Sequence, residues 1–174
     1  MQLGVDTELG KERIRAQTQV INRIAKASQA TSLYEIPTKT SRVDGLIHVG
    51  DRLYVVEIKT RNSKITFCEN GLQIYDRVGS PDNYNYVERN AYMISDSKIA
   101  QGQQVAELLS AQFFVFVYAL HSDNIAYINA TKLRANYDYE TRLITTTQPY
   151  TQGQETDLMA MLPLNKMKIL KEKK

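Results

Sequence analysis

The sequence predicts an α/β fold, and three of its patterns lead to this prediction. A helical pattern near the N-terminus precedes a β-hairpin pattern, and a second helical pattern runs directly into an apolar stretch at residues 113–120. A continuous apolar run of this length is typical of a strand that is buried on both faces. Such a strand directly after a helix indicates a crossover connection.

Composition and charge narrow the class of protein. The chain of 174 residues is 43% hydrophobic and 24% charged, with 8 glycines and 4 prolines, which excludes collagen-like, linker-like and wholly disordered chains. This length predicts a single globular domain over residues 1–174. The net charge of +3 is compatible with a polyanionic partner but does not require one.

Cysteine usage and hydropathy indicate the compartment. A single cysteine, Cys68, excludes an internal disulfide scaffold and a thiolate metal cluster. The first residues lack the apolar segment of a signal peptide, and no stretch approaches the roughly 18 apolar residues of a membrane span. We therefore expect a cytoplasmic protein with no membrane partner.

The N-terminal half is predicted to contain a helix, a short strand and a hairpin. The helix covers residues 6–28, where Ile14, Ile21 and Ile24 recur at helical spacing, and the strand covers residues 32–37. The hairpin covers residues 42–60, because two β-branched-rich runs flank Gly50-Asp51, a dipeptide suited to a two-residue turn.

The remaining segments are predicted from periodicity and turn residues. Residues 61–92 are a Tyr-rich excursion without clear periodicity, and a loop of this length is either functional or contains short strands. A helix follows at 95–112, then strands at 113–120 and 125–129, and a short helical piece at 130–135. Strands at 141–147 and 157–164 and a solvated lysine-rich tail at 166–174 complete the chain.

The hairpin turn determines which side chains share a face. If Gly50 and Asp51 form the turn, the two residue numbers of each cross-strand pair sum to 101. This places Asp44 opposite Glu57. Alternation then gives two faces. One face is expected to carry Asp44, Leu46, His48, Leu53, Val55, Glu57 and Lys59, and the other Val43, Ile47, Val49, Tyr54, Val56 and Ile58.

The opposed carboxylates of Asp44 and Glu57 predict a metal site. Like charges facing each other across a sheet cost up to about 1 kcal/mol, and more where water is excluded. Lys59 offsets part of this repulsion, but a divalent cation between the two carboxylates neutralises both. We expect Mg²⁺, with Mn²⁺ as a substitute, and hydrolysis of a phosphodiester in which Lys59 orients or deprotonates the attacking water.

This arrangement of Asp44 and Glu57-Ile58-Lys59, on a hairpin after one helix and before another, resembles the PD-(D/E)XK nuclease superfamily, although Val43 replaces the family's proline. The resemblance covers about residues 8–129. It implies a restriction-endonuclease-like core, a central mixed β-sheet flanked by helices in the order αβββαβ, with strand additions over about 130–174. It also implies Mg²⁺-dependent endonucleolytic cleavage of DNA, as in restriction or phage nucleases of a bacterial or phage-infected cell.

The resemblance also implies supporting residues on the two helices. An acidic residue on the first helix is matched best by Glu12, with Glu8 as the second choice. A glutamine or lysine near the site on the second helix is matched by Gln101 or Gln104. A restriction-type enzyme usually dimerises to cut both strands, so a homodimer is a possible assembly.

Several other residues are candidates for contacts with nucleic acid. Basic residues close to Asp44, Glu57 and Lys59 in the sequence are expected to contact phosphates; they are Lys39, Arg42, Arg61 and Lys64. A second group either stacks on bases or packs against the core; it comprises Tyr75, Tyr84, Tyr86 and Tyr92, interleaved with Arg77 and Arg89. His48 and Cys68 are expected to be packing residues.

Two alternatives to an enzyme remain open at this point. In the first, the chain is a non-catalytic nucleic-acid-binding subunit of the same fold. In the second, it is a structural interaction domain in which the hairpin charges form an ordinary ion pair. The first alternative predicts DNA binding without metal-dependent cutting. The second predicts no change in thermal stability when Mg²⁺ is added.

Overall fold

The computed structural model describes residues 8–36, 42–68, 71–80, 82–147 and 153–172, which form two α-helices and twelve β-strands. The helices are α1 (Glu8–Ala27) and α2 (Asp96–Leu108). The strands before α2 are β1 (Ser32–Glu35), β2 (Gly45–Val49), β3 (Arg52–Arg61), β4 (Ser63–Cys68), β5 (Gly71–Ser80), β6 (Asn83–Arg89) and β7 (Ala91–Ser95). Those after α2 are β8 (Gln112–Ala119), β9 (Asn124–Asn129), β10 (Glu140–Thr147), β11 (Gln154–Pro163) and β12 (Lys168–Ile169).

The largest sheet has six strands in the order β1-β2-β3-β8-β9-β12. Strands β3 and β8 are parallel, and the other neighbours in this sheet are antiparallel. The parallel pair needs a long connection, which runs through β4 to β7 and α2. The predicted crossover is therefore confirmed, and the fold is α/β with a mixed sheet and two helices.

Helix α1 covers one face of this sheet. Its buried residues Val20, Ile21 and Ile24 recur at helical spacing and form one apolar cluster with the sheet residues Ile47, Val56 and Ile58. This confirms that Ile47, Val56 and Ile58, from the face of the hairpin predicted to be entirely apolar, lie in the core.

Helix α2 packs on the opposite face. Ile99 and Ala106 of the helix join a second cluster that includes Val55 and Val115 of the sheet. Gly102 lies directly against the ring of Phe113, so closely that a Cβ atom at this position would overlap the ring. The glycine that interrupts the helical pattern in the sequence is thus what lets α2 approach β8.

Two three-stranded sheets extend the molecule beyond the main sheet. Strands β4, β5 and β6 form an antiparallel meander, and β7 pairs with β11, which in turn pairs with β10. The meander contains most of the Tyr-rich excursion, so the expectation of short strands within residues 61–92 is confirmed. Tyrosine and β-branched residues favour strands, but Asn, Asp and Gly between them obscured the alternation.

Three features of the chain differ from the prediction. Residues 91–95 form β7, which was missed because the polar residues before them suggested a continued loop. Residues 130–135 make turns and an isolated bridge between Ala135 and Tyr139 instead of a helix. The tail is not wholly solvated, because Lys168–Ile169 pairs with β9 and the N–H of Leu170 donates to Ile125 O at 2.7 Å. In the described part of the chain, no helix combines the length and the apolar character that a membrane crossing requires.

Candidate metal centre

The hairpin that supports the site has the predicted register. Gly45 pairs with Val56, and Val49 pairs with Arg52 across a turn at which Gly50 has a φ of +58°. Glycine adopts this left-handed conformation without steric cost, which explains why the turn forms at this dipeptide. Every pair in this ladder agrees with the sum of 101 inferred from the sequence.

The ladder becomes irregular where the chain enters β2. The N–H of Asp44 donates to Val56 O at 2.9 Å, although Val56 is already the pairing partner of Gly45. Asp44 and Gly45 thus both lie opposite Val56, as in a β-bulge. The irregularity turns Val43 into the apolar cluster beneath α2, so its predicted position on the α1 face is wrong.

The side chain of Asp44 is anchored on β3. Its Oδ2 atom accepts a hydrogen bond from the backbone N–H of Ile58 at 2.6 Å. Ile58 is the residue between Glu57 and Lys59, so this contact brings the Asp44 carboxylate to the segment that carries the other two predicted site residues. The predicted pairing of Asp44 with Glu57 is therefore not part of the regular ladder, which ends at Gly45 and Val56, and the side-chain contact takes its place.

Glu57 is a buried carboxylate with two cationic neighbours. It is 1% exposed, and its Oε1 lies 2.6 Å from the Nζ of Lys59 and 3.5 Å from the Nζ of Lys98. Its Oε2 is also buried and has no hydrogen-bond partner within the described residues. A buried carboxylate oxygen without a partner is costly, by about 1–3 kcal/mol or more.

Asp44 titrates abnormally in this environment. Burial raises its pKa to about 6, and the negative charge of Glu57 contributes to the rise. The hydrogen bond from Ile58 and the charges of Lys59 and Lys98 act in the opposite direction. The two carboxylates therefore interact electrostatically, and the lysines do not fully compensate Asp44.

These residues fit a divalent ion in their chemistry. Asp44 and Glu57 supply hard carboxylate oxygens, and Oε2 of Glu57 offers a buried acceptor that nothing in the described chain satisfies. No group of three or more His, Cys, Asp or Glu residues is assembled for a metal anywhere in the described ranges. A two-carboxylate site of this kind matches Mg²⁺, which usually keeps several waters and binds through one or two carboxylates.

Lys98 was missed by the sequence analysis. It lies in the first turn of α2, and the packing of α2 beside β3 brings its ammonium to Glu57. The segment Ser95-Asp96-Ser97-Lys98 marks a helix start in the sequence, but no local pattern indicates which turn of the helix reaches the hairpin. Only the tertiary packing of α2 gives that information.

The residues predicted on the helices lie farther out. Glu12 is exposed and lines a cleft of about 930 Å³ together with Lys59, Arg61 and Arg77. Gln104 is exposed and accepts a hydrogen bond from Arg42 at 2.7 Å. The structure thus brings Glu12 to the cleft beside Lys59, and it engages Gln104 with a basic residue.

The predicted phosphate contacts are dispersed around the site. Arg61 is exposed with its guanidinium 5.9 Å from the centre of the Tyr92 ring, and Lys64 is exposed with its ammonium 4.1 Å from that of Tyr86. Lys39 lies outside the described residues.

The other singled-out residues have less direct roles. Glu8 begins α1, Gln101 is half-buried on α2, and Cys68 ends β4. The half-buried His48 packs edge-on near Tyr34, with ring centres 6.5 Å apart, and lies toward the hairpin turn. This is consistent with the expectation of a packing residue.

A second cavity, of about 970 Å³, opens on the other face of the hairpin. Its lining includes Ile47, Tyr54 and Val56 of the hairpin and Phe114 and Tyr127 of the neighbouring strands. Ile47, Tyr54 and Val56 project away from the face that carries Glu57 and Lys59. The cavity is therefore separate from Asp44 and Glu57, and its lining is mostly apolar, with Lys168 and Lys171 as its charged residues.

Comparison with known proteins gives no further assignment. No protein-family model matches the chain, and neither curated proteins nor solved structures yield a match.

Proposed function

We propose that this protein is a Mg²⁺-dependent deoxyribonuclease that hydrolyses phosphodiester bonds, with Asp44 and Glu57 as metal ligands and Lys59 as the catalytic lysine. The observation that supports this proposal most strongly is the burial of Glu57 beside Asp44, with one Glu57 oxygen between two lysines and the other without a hydrogen-bond partner in the described chain. A buried acidic pair of this kind is a candidate functional site because its charge is costly to maintain for stability alone.

The charge balance of the site suits an anionic substrate. Without a metal, the two carboxylates and the ammonium groups of Lys59 and Lys98 sum to zero when all four are ionised. A bound divalent cation brings the sum to +2. A phosphodiester carries one negative charge in the ground state and more in the transition state, so the loaded site attracts the reacting group and stabilises it increasingly along the reaction.

Each residue of the proposed site has a distinct role in the reaction. Asp44 and Glu57 hold the ion, and Ile58 orients Asp44 through its N–H. When bound, the ion polarises the phosphoryl group and lowers the pKa of a coordinated water. Lys59 orients or deprotonates the attacking water and offsets the charge that develops on the phosphate, and Lys98 adds a second cation on the same side.

The order of elements supports the finer assignment of the fold. Helix α1, three strands, helix α2 and the parallel strand β8 follow one another in the order that a restriction-endonuclease-like core requires, and the Tyr-rich meander is inserted between β3 and α2. We propose this fold class on the basis of that order. A cytoplasmic location agrees with the single cysteine, since the enzyme then works in a reducing compartment.

The test is a cleavage assay with a matched pair of variants. Linear, circular and branched DNA are incubated with the protein while Mg²⁺ or Mn²⁺ is titrated, and EDTA serves as the blank. We expect Glu57→Gln to lower the cleavage rate by roughly 100-fold or more, because it removes a ligand charge without changing the size of the side chain. Glu107→Gln, an exposed position on α2, serves as the control and is expected to cut at the wild-type rate. Equal rates for the two variants would refute the proposal.

The ion pairs of Glu57 favour one alternative that needs its own test. The two lysines give this carboxylate enough positive charge for a purely structural role. A structural role predicts that Mn²⁺ leaves the melting temperature unchanged. The nuclease proposal predicts that Mn²⁺ raises the melting temperature of the wild-type protein and has no such effect on Asp44→Asn.

A further inference from the structure

The outer face of the β4-β5-β6 meander carries aromatic rings and cations side by side. Arg77 pairs with Tyr86 and Lys64 pairs with Tyr75, so these four side chains project from the same face. Tyr84 lies two residues before Tyr86 and shares the face. We call this surface, formed by Lys64, Tyr75, Arg77, Tyr84 and Tyr86, the aromatic–basic face.

The opposite face of the meander is apolar or internally paired. Ile65, Leu72 and Ile74 belong to the apolar cluster beneath α2. Asp76 on this side accepts a hydrogen bond from Ser63 at 2.6 Å and forms an ion pair with Arg89 at 3.0 Å. Packing thus explains most of this side, although Val78 and Val87 on it are exposed. On the aromatic–basic face, Tyr86 packs edge-on near His121, with ring centres 6.0 Å apart, and the ring of Tyr84 is left exposed.

Cations lie over the rings of the aromatic–basic face. The guanidinium of Arg77 lies 4.7 Å from the centre of the Tyr84 ring, and the ammonium of Lys64 lies 4.1 Å from that of Tyr86. Tyr84 is still 43% exposed. Exposed rings with cations beside them are the combination that binds single-stranded nucleic acid, because bases stack on the rings while the cations attract phosphates.

The geometry of the two rings favours an unpaired strand over a duplex. The Tyr84 and Tyr86 rings are 5.9 Å apart and perpendicular to each other. In a duplex the bases are stacked on their neighbours and present only their edges, so these rings could not reach a base face. An unpaired strand exposes base faces and bends freely enough to place two bases at a right angle.

The aromatic–basic face is continuous with the cleft that contains Lys59. Arg77 lines this cleft together with Lys59 and Arg61. The backbone N–H of Arg77 also donates to Asn62 O at 3.0 Å, which fixes the meander to the end of β3. A strand lying on the face therefore leads toward Lys59. Within the described residues, Glu88 is the carboxylate of this face, four positions along β6 from Tyr84.

We infer that the aromatic–basic face binds an unpaired DNA strand and that the substrate of the proposed nuclease is DNA with a single-stranded segment. The inference rests on the proposed function only in linking this strand to cleavage. Binding itself needs neither the metal nor the two carboxylates, so it can be measured when cleavage is absent.

The experiment measures binding of the full chain in EDTA by fluorescence anisotropy. The probes are a fluorescein-labelled oligothymidylate and a labelled duplex of the same length. We expect tighter binding of the oligothymidylate, and a loss of roughly tenfold or more in its affinity when Tyr84→Ala and Tyr86→Ala are combined. The phenylalanine double variant, Tyr84→Phe with Tyr86→Phe, keeps the stacking surfaces and is expected to bind like the wild type.

Two further variants make the result specific. Tyr137→Ala is the control, because Tyr137 is 80% exposed and has the guanidinium of Arg134 4.8 Å from its ring centre but lies outside the meander. Lys64→Gln combined with Arg77→Gln keeps the rings, and it is expected to reduce the slope of log affinity against log salt by about 0.7 per lost phosphate contact.

Each outcome supports or overturns the inference. Loss of affinity in the alanine double variant, retention in the phenylalanine variant and a lower salt slope support it. Equal affinity of wild-type protein and alanine double variant overturns it, as does a wild-type protein that binds the duplex as tightly as the oligothymidylate. If the oligothymidylate binds as expected and no DNA is cut with Mn²⁺, the proposed function fails and the inferred binding of an unpaired strand stands. If DNA is cut and the alanine double variant binds the oligothymidylate normally, the proposed function stands and this inference fails.

Discussion

Oδ2 of Asp44 accepts a hydrogen bond at 2.6 Å from the backbone N–H of Ile58, the residue between Glu57 and Lys59. This contact joins the start of β2 to the centre of β3 beyond the last regular pair of the hairpin. It places the Asp44 carboxylate by a backbone donor, whose position does not depend on side-chain rotamers. Asp44 is therefore held by the hairpin itself, whereas the carboxylate of Glu57 is contacted by the two lysines.

The two lysines beside Glu57 are expected to contribute unequally. Lys59→Met should lower kcat by roughly 10²–10⁴-fold, the usual contribution of a positioned acid–base group, with little change in KM. Lys98→Met should lower kcat by about tenfold, because its ammonium is 3.5 Å from Oε1, compared with 2.6 Å for Lys59. Steady-state kinetics with Mn²⁺ tests the order. A larger loss in Lys98→Met would transfer the catalytic role to the helix.

The pH dependence of the unfolding free energy should show the raised pKa of Asp44. Its pKa is about 6 in the folded protein and about 3.8 without the fold, so folding takes up a proton between these values. The stabilisation that protonated Asp44 contributes to the folded state is fully present below about pH 4 and is lost as the pH rises through 6. Relative to Asp44→Asn, the wild-type protein should therefore lose on the order of 1–2 kcal/mol of unfolding free energy between pH 4 and pH 7. Urea unfolding in EDTA measures this, and parallel curves for the two proteins would contradict it.

The same group should control metal binding. A protonated Asp44 does not bind a divalent cation, so the increase in melting temperature caused by Mn²⁺ should decline below about pH 6. Differential scanning calorimetry across this range gives the midpoint. An increase that persists unchanged to about pH 4.5, well below the raised pKa of about 6, would show that Asp44 is not a ligand.

Helix α2 depends on Gly102. An added methyl group would overlap the Phe113 ring, so Gly102→Ala should destabilise the protein by about 1–3 kcal/mol and displace Lys98 from Glu57. Phe113→Leu removes the ring, and the double variant should recover part of the loss. Glu107→Ala on the exposed side of α2 should have little effect. Additive losses in the double variant would mean that the close approach is not the cause.

Gln104 is expected to be dispensable for the chemistry. Its side chain accepts a hydrogen bond from Arg42 at 2.7 Å on the exposed side of the helix. Gln104→Ala should change kcat by less than about threefold, since a surface contact of this kind contributes only about 1 kcal/mol or less. A loss comparable to that of Lys59→Met would restore the catalytic role that the family resemblance implies for this residue.

The elements with strong local patterns were predictable from the sequence. Gly50 and Asp51 determine the turn, and the turn determines the pairing of β2 with β3 because each residue has one partner in a regular ladder. The apolar run at residues 113–120 predicted β8 because a strand buried on both faces is apolar throughout, and its position after a helix predicted the crossover. Local backbone preference and burial agree in these segments.

Other features depend on tertiary packing and were not predictable. Val43 faces the α2 side because the ladder is irregular at Asp44, and regular alternation cannot reveal such a position. Lys98 reaches Glu57 only because α2 packs against β3 at that turn. The role of Gly102 could not be inferred either, since a glycine inside a helical pattern looks like a weakness until its neighbour Phe113 is known.

The most direct test of the proposed site is a crystal of the protein grown with Mn²⁺ and examined by anomalous scattering. We predict one strong peak bonded to carboxylate oxygens of both Asp44 and Glu57, at about 2.0–2.2 Å, with Lys59 withdrawn from Oε1. A crystal saturated with Mn²⁺ that shows no peak between these carboxylates, with Lys59 still paired to Glu57, would contradict the account.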